Sequence, residues 1–356
     1  MSLFVGGEFY DDPGWQKDKP TLSMENAFFL NGGRACLAVI SDHLLDHGIH
    51  RILLPAYLCP SILDVFQQHG LAWDFYRINQ NLSIDLADLI EKAKNTQALY
   101  FINYFGFPHS SQTLAALKYF RKNGKLLVED NAQAGLPGHM IADFTFNSVR
   151  KLAPFDGGYL FTNLEISPYL HCDNPSPNRR LPLIRAYRQE LRKYLLEGQG
   201  SYRRLVSLHA RAERFYEEDH VITGDPVERE LIERQDWQGM SQKRRENYKY
   251  LLEHILDIPE IKPLFPVLEK DASPLGLPVY VNGVARDGLY DYLGKNSIGL
   301  FIHWQEILHD ARLADLPDTY DMAGRMLTLT CDQRTSSKQL DYLVHQLKEG
   351  ITSLKA

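Results

Sequence analysis

Residues 125–134 read KLLVEDNAQA, a short apolar run that ends in two adjacent carboxylates, Glu129 and Asp130. The run is too short for a helix and has no alternation of polar residues, so it reads as a strand buried on both faces. An unpaired ionised carboxylate in such surroundings costs several kcal/mol, about the size that demands a partner nearby. The two acids are therefore expected to have a cation or a set of hydrogen-bond donors close to them.

The same pattern recurs upstream. RILLPAYLC (51–59), WDFYRIN (73–79) and ALYFINYFG (98–106) read as strands, and PSILDVFQQHG (60–70), SIDLADLIEKAKN (83–95) and HSSQTLAALKYFRKNG (109–124) read as helices between them. Strands separated by helices of this length imply crossover connections and a mainly parallel sheet covered on both faces. The expected fold is α/β, a three-layer sandwich with a mainly parallel central sheet and a smaller C-terminal α/β lobe. Ligands of such sheets lie beyond the carboxyl ends of the strands, which directs attention to the loops 57–61, 103–108 and 129–133. FLNGGRACLAVISDHLLDHGI (29–49) opens with a glycine pair ahead of an amphipathic helix, an arrangement whose free backbone N–H groups can receive an anion.

Downstream, residues 183–220 read as one or two long charged helices. A further helix, WQGMSQKRRENYKYLLEHIL (237–256), leads through a Pro-rich stretch into a strand, a helix (RDGLYDYLGKN, 286–296), a strand (IGLFIHW, 298–304) and a closing helix, SSKQLDYLVHQLKEGITSL (336–354). We place the lobe boundary near Trp237, giving a large lobe of residues 1–236 that includes an N-terminal arm and a small lobe of residues 237–356.

Composition narrows the function. The 356 residues are 44% hydrophobic and 24% charged with a net charge of −6, and the basic residues form no long block, which argues against nucleic-acid binding. Cys36, Cys59, Cys172 and Cys331 include no CxxC pair, so a structural metal is not expected and the thiols read as reduced. Neither a secretory leader nor an 18-residue apolar run is present in the sequence, which leads to the expectation of a cytoplasmic protein without a membrane span.

In SVRKLAPFDGG (148–158), Ser148 and Lys151 have S-x-x-K spacing and Asp156-Gly157-Gly158 forms a tight turn. A pyridoxal phosphate (PLP) enzyme needs an amine to form a Schiff base with the cofactor aldehyde, and an acid to keep the pyridine nitrogen protonated. Lys151 and Asp130 suit those two roles. Taken singly, a strand-end Asp is more often a cap and a lone Lys a surface residue.

The order of motifs resembles the DegT/DnrJ/EryC1/StrS sugar aminotransferases, within the type I fold of PLP enzymes. The resemblance rests on GGRA (32–35), PAYLCPS (55–61), NYFGFP (103–108), EDNAQA (129–134) and SVRKLAPFDGG (148–158), and on the C-terminal segments RRENYKYLLEHI (244–255), RDGLYDYLGKNSIGLFIHW (286–304) and LTLTCDQRTSSKQLDYLVHQL (327–347). It weakens between 164 and 236. It implies that Asp130 pairs with the pyridine nitrogen and Gln133 sits near the phenolic oxygen. Lys151 would be the Schiff-base lysine and proton shuttle, with Ser148 and the backbone around Gly33, Arg34 and Ala35 on the phosphate. Tyr57 would stack on the ring or be a core aromatic, and Asn103 stands where many relatives have His. CDNPSPNRRLP (172–182) is matched to the substrate loop, with Arg179 and Arg180 offering charge to a phosphate, and His303 and Trp304 are further substrate candidates.

Counting back from Gly157 aligns Arg150 with the lysine, whereas S-x-x-K selects Lys151, which we favour. A guanidinium could not form the Schiff base. The implied activity is transfer of an amino group from glutamate or a similar donor to a nucleotide-linked keto-sugar by a homodimer. Two alternatives stand beside it: a degenerate relative that binds PLP or a sugar nucleotide without turnover, and a PLP-dependent sugar dehydratase or lyase.

Overall fold

A computed structural model describes residues 4–24, 26–136, 140–170, 177–218 and 221–355, apart from the side chains of 217 and 218. A two-residue strand of the N-terminal arm, β1 (Val5–Gly6), is followed by β2 (Ala27–Leu30), α1 (Gly33–Asp46), β3 (Arg51–Pro55), α2 (Pro60–His69), β4 (Ala72–Tyr76), α3 (Leu86–Ala93), β5 (Ala98–Ile102), α4 (Ser111–Lys122), β6 (Leu126–Asp130), β7 (Phe144–Phe146) and β8 (Gly158–Phe161). Strands β2 to β8 form one seven-stranded sheet in the order β2-β8-β7-β6-β5-β3-β4. The pairings β3–β4, β3–β5, β5–β6 and β6–β7 are parallel, and β8 runs antiparallel to both its neighbours. Every residue of β5 is buried, as are Ile52–Pro55 of β3 and Leu127–Asp130 of β6. Since successive side chains point to opposite faces, the sheet is covered on both sides, which is why these strands carry no polar alternation.

Local signals explain the boundaries. Ser110 caps α4 by accepting from Thr113 N at 3.1 Å, and Asp85 caps α3 through Asp88 N at 3.1 Å, contacts of a type that contributes about 1 kcal/mol each. Gly70 ends α2 in the left-handed conformation. The turn into β8 requires glycine at 157: its φ is +137° and a Cβ there would lie 2.3 Å from the Phe29 ring.

Among the described residues of 180–233 lie three α-helices, α5 (Arg180–Arg192), α6 (Tyr202–Glu218) and α7 (Pro226–Glu233), with α5 and α6 packed together as a hairpin. The helix α8 (Trp237–Ile255) starts at a cap from Asp236 to Gly239 N, and then come β9 (Ile261–Pro263), β10 (Leu277–Val281), α9 (Arg286–Lys295), β11 (Ile298–Gly299), α10 (Pro317–Arg325), β12 (Met326–Leu329) and α11 (Ser337–Lys355). Strands β9, β10 and β12 make an antiparallel sheet in the order β12-β10-β9. The stretch IGLFIHW departs from the expected seven-residue strand. Only Ile298–Gly299 pairs, with β1 in parallel, and Phe301 adds an isolated bridge to Thr328 before the chain turns inward at His303 and Trp304. Apolar burial outweighed strand propensity there, because Leu300 and Trp304 pack into the core. That core is continuous, running from Leu30 and the central strands to Leu329 and Ile351.

Candidate functional site

A cavity of about 730 Å³ opens at the carboxyl ends of the parallel strands. It is lined by Asp130 from the end of β6, Gln133 just beyond it, Gly33 and Arg34 from the first turn of α1, and Ser148, Arg150 and Lys151 from the turn between β7 and β8. Residues far apart in sequence converge here because parallel strands all deliver their loops to one edge.

Asp130 lies at the bottom, 5% exposed. Its Oδ2 accepts from the Tyr100 hydroxyl at 2.5 Å and its Oδ1 from Ala132 N at 2.7 Å. Burial pushes its pKa up to about 6, against the opposing pull of these two donors and of the Lys151 charge. Glu129 is satisfied by neutral donors: Asn103 Nδ2 at 2.9 Å, Ile141 N at 2.7 Å and Thr145 Oγ1 at 3.3 Å. Of the two adjacent acids, Asp130 faces the cavity.

Half-buried Lys151 ends a short 3-10 turn, Val149–Lys151, and no salt bridge to it occurs among the described residues. Burial lowers its pKa and the like charge of Arg150 acts in the same direction, with Glu8 and Asp130 opposing. Its neighbour Arg150 is drawn to a different partner, with Nη2 3.4 Å from a Glu213 oxygen and its guanidinium over the Tyr216 ring. A second, smaller cavity of about 80 Å³ adjoins Lys151 and is lined by His303, Arg244, Thr328 and Asp332 among others. Burial, followed by the Lys151 charge, pushes the His303 imidazole down to about 3, so it is neutral at working pH. Its Nδ1 is 2.9 Å from Thr328 Oγ1.

Several candidates lie outside the cavity lining, Tyr57 among them in the core place that was the alternative to stacking. Tyr57 is fully buried outside the cavity lining; its hydroxyl donates to the His303 carbonyl and its ring packs 5.4 Å from that of Trp304. Trp304, unlike Tyr57, lines the cavity, together with Phe146 and Tyr216. Asn103 braces the end of β6 through Glu129 and through Asn131 Oδ1 at 2.6 Å. Ala35 is buried within α1, one position beyond the lining pair. Of the stretch 172–182, residues 172–176 lie outside the described residues, Cys172 among them. Arg179 stacks on Phe215 at 4.1 Å. Arg180 is buried and paired within its own chain, to Asp156 at 2.7 Å and Glu213 at 2.6 Å. Against the effect of its burial, Arg188 and Arg180 hold the Asp156 carboxyl well below the usual range.

Glu213 and Tyr216 of α6 also line the cavity and no motif announced them. Their only sequence signal is the amphipathic period of a helix in the stretch where the resemblance is weakest. Elsewhere in the lining, Arg312 binds Asp64 at 2.7 Å and Asp310 at 2.6 Å, and Glu306 and His309 also contribute.

No protein-family model matches the sequence, and no curated protein sequence does. Solved structures do match. A protein described as a sugar aminotransferase, Spr1654 from Streptococcus pneumoniae, superposes in its PMP form with a TM-score of 0.69 at 16% identity, over 99% of this chain and 98% of that one. Its PLP form gives 0.68 at 18% identity, over 99% and 100% of the two chains. The chain has the sugar aminotransferase fold. A DegT/DnrJ/EryC1/StrS aminotransferase from Brucella abortus shares this aminotransferase fold with a TM-score of 0.62 at 16% identity, over 91% of this chain and 85% of that one. The match to Spr1654 extends over 99% of this chain, well beyond the segments that carry the motifs.

Proposed function

We propose that this chain is a PLP-dependent aminotransferase that passes an amino group from an amino acid such as glutamate to a nucleotide-linked keto-sugar. One observation carries the reading: a buried carboxylate, Asp130, and a half-buried amine of lowered pKa, Lys151, line the same cavity at the strand ends. Two buried donors in that lining lack partners, Gln133 Nε2 and Trp304 Nε1, which suits a cavity built to receive an acceptor-bearing ring.

When bound, PLP supplies an aldehyde and an electron-accepting ring. Asp130 suits the ring nitrogen, since a carboxylate ionised by a cationic partner holds a proton there. Gln133 is anchored by Phe105 N donating to its Oε1 at 2.9 Å, leaving Nε2 to donate to the phenolic oxygen. Ser148 and the first turn of α1 suit the phosphate: a Cβ on Gly33 would lie only 3.7 Å from Ser148 Cβ. Lys151, whose pKa is lowered, can take and return the proton at the substrate carbon. Arg150 reaches Glu213 at 3.4 and 3.5 Å and stays protonated, so the amine next to it is the nucleophile.

Adding PLP to the purified protein should produce a visible absorption band that glutamate bleaches, with amination of a nucleotide-linked keto-sugar detected by mass spectrometry. A protein that binds PLP yet leaves glutamate and keto-sugar unchanged would favour the non-catalytic relative. We further propose a homodimer of more than the ~1,000 Å² expected of a specific interface. Light scattering at micromolar concentration should give twice the chain mass, and a monomer would exclude it. No helix among the described residues is long and apolar enough to cross a membrane, and Cys36, Cys59 and Cys331 are free thiols, which supports a cytoplasmic setting.

A further inference from the structure

Where the large cavity is lined by Arg34, Arg150 and Tyr216, three guanidinium groups surround one aromatic ring. Arg34, Arg150 and Arg180 lie 4.7, 5.1 and 4.7 Å from the centroid of Tyr216. Three like charges at this separation repel one another, and a tyrosine face offsets only part of that repulsion. The carboxylates at hand are unequally shared. Asp156 accepts from Arg180 Nε at 2.7 Å and from Arg188 Nη2 at 2.7 Å, and Glu213 accepts from Arg180 Nη1 at 2.6 Å. These are the short distances of charge-assisted hydrogen bonds, and neither Arg180 nor Arg188 lines the cavity.

Arg150 and Arg34 are bound far more loosely. Arg150 reaches Glu213 only at 3.4 and 3.5 Å, and Arg34 donates to the Tyr216 carbonyl at 3.4 Å. Both line the cavity, beside Ser148 and the first turn of α1. The hydroxyl of Tyr216 stands against the same turn, since a Cβ on Gly32 would meet it at 3.1 Å. In the same lining, Gln133 is 2% exposed with Nε2 unpartnered, an independent sign that a ligand completes this cavity.

We propose that Arg150, together with Arg34, grips a phosphate group in this part of the cavity, and that α6 positions the pair through Glu213 and the Tyr216 ring. Resting on the PLP reading above, the phosphate is that of the cofactor. Adjacent residues of one turn then have separate tasks: Arg150 holds the anion and Lys151 supplies the amine. A planar guanidinium suits this, because it presents paired donors to phosphate oxygens and stays charged even when buried.

Isothermal titration with inorganic phosphate, PLP and pyridoxal, which lacks the phosphate, tests the assignment on the full chain. Arg150→Gln is expected to weaken inorganic phosphate and PLP by about tenfold to hundredfold and to leave pyridoxal unchanged. Arg150→Lys should recover part of the loss, Arg34→Gln should act in the same direction as Arg150→Gln, and Arg51→Gln, at an exposed pair with Asp74, should change nothing. Equal losses for PLP and pyridoxal would reduce Arg150 to a structural role, and wild-type affinity for inorganic phosphate in both Arg150→Gln and Arg34→Gln, or no phosphate binding by the wild type, would overturn the proposal. Arg150-dependent phosphate binding without any binding of PLP or pyridoxal would keep the anion site and remove the PLP reading instead. Melting curves of each variant identify any that fails to fold, in which case the other arginine decides.

Discussion

Replacing Lys151 with alanine is expected to abolish the visible band formed with PLP and to lower the amination rate by at least about 10³-fold, because one side chain serves as both nucleophile and proton carrier. Alanine removes the only amine that lines the large cavity among the described residues; the cation left beside it, Arg150, cannot deprotonate at working pH. Arg150→Ala should keep the band at saturating PLP. Absorbance of the two variants, followed by a single-turnover assay with glutamate, separates the neighbours cleanly. A band that survives in Lys151→Ala would overturn the assignment of Lys151 as the Schiff-base amine, because the guanidinium beside it cannot take that role.

Asp130→Asn should slow the reaction by about 10²- to 10³-fold, since an amide holds no proton on a ring nitrogen as a carboxylate does. The same change should make the ligand-free protein more stable at neutral pH. The folded carboxyl sits near 6 against about 3.9 in an unfolded chain. A raised folded value means that the penalty is absent below pH 4, builds as pH rises from about 4 to 6, to about half its size at pH 5, and levels off near about 3 kcal/mol by pH 7. Asparagine escapes that penalty but accepts from the Tyr100 hydroxyl and the Ala132 N–H less well, at a cost of about 1–2 kcal/mol, which leaves a gain of about 1 kcal/mol. Thermal melts at pH 5 and pH 7 should therefore show the advantage of the variant only at the higher pH. An Asp130→Asn protein that melts lower than wild type at pH 7 would mean that the carboxylate is stabilised in ways its surroundings do not reveal.

The contrast between Asp130 and Tyr57 shows what could be read in advance. A carboxylate at the end of an apolar run announces itself, because burying it is costly unless something answers it, and the run already defines a strand whose end lies at the ligand edge of a parallel sheet. An aromatic at a strand end announces nothing, since core and site positions ask for the same apolar surface. Its place was settled by the His303 carbonyl and by Trp304, residues nearly 250 positions away. The arginines show the same limit. Arg180 and Arg150 are identical in chemistry, and only Asp156 and Glu213 separate the one that is locked from the one that is loosely held.

Period and punctuation along the chain were sufficient for the alternating strands and helices, the mainly parallel sheet and the edge at which its loops gather, because those follow from which residues repeat with the period of each element and where glycine, proline and capping residues interrupt them. Whether a buried charge would be met by a cation or by neutral donors, which rings would face the cavity, and that an unheralded helix hairpin would bring Glu213 and Tyr216 to the first turn of α1 were decided only in the tertiary structure. Those outcomes depend on distances between residues far apart in sequence, and electrostatic and packing energies change steeply with such distances while leaving no trace in the local pattern.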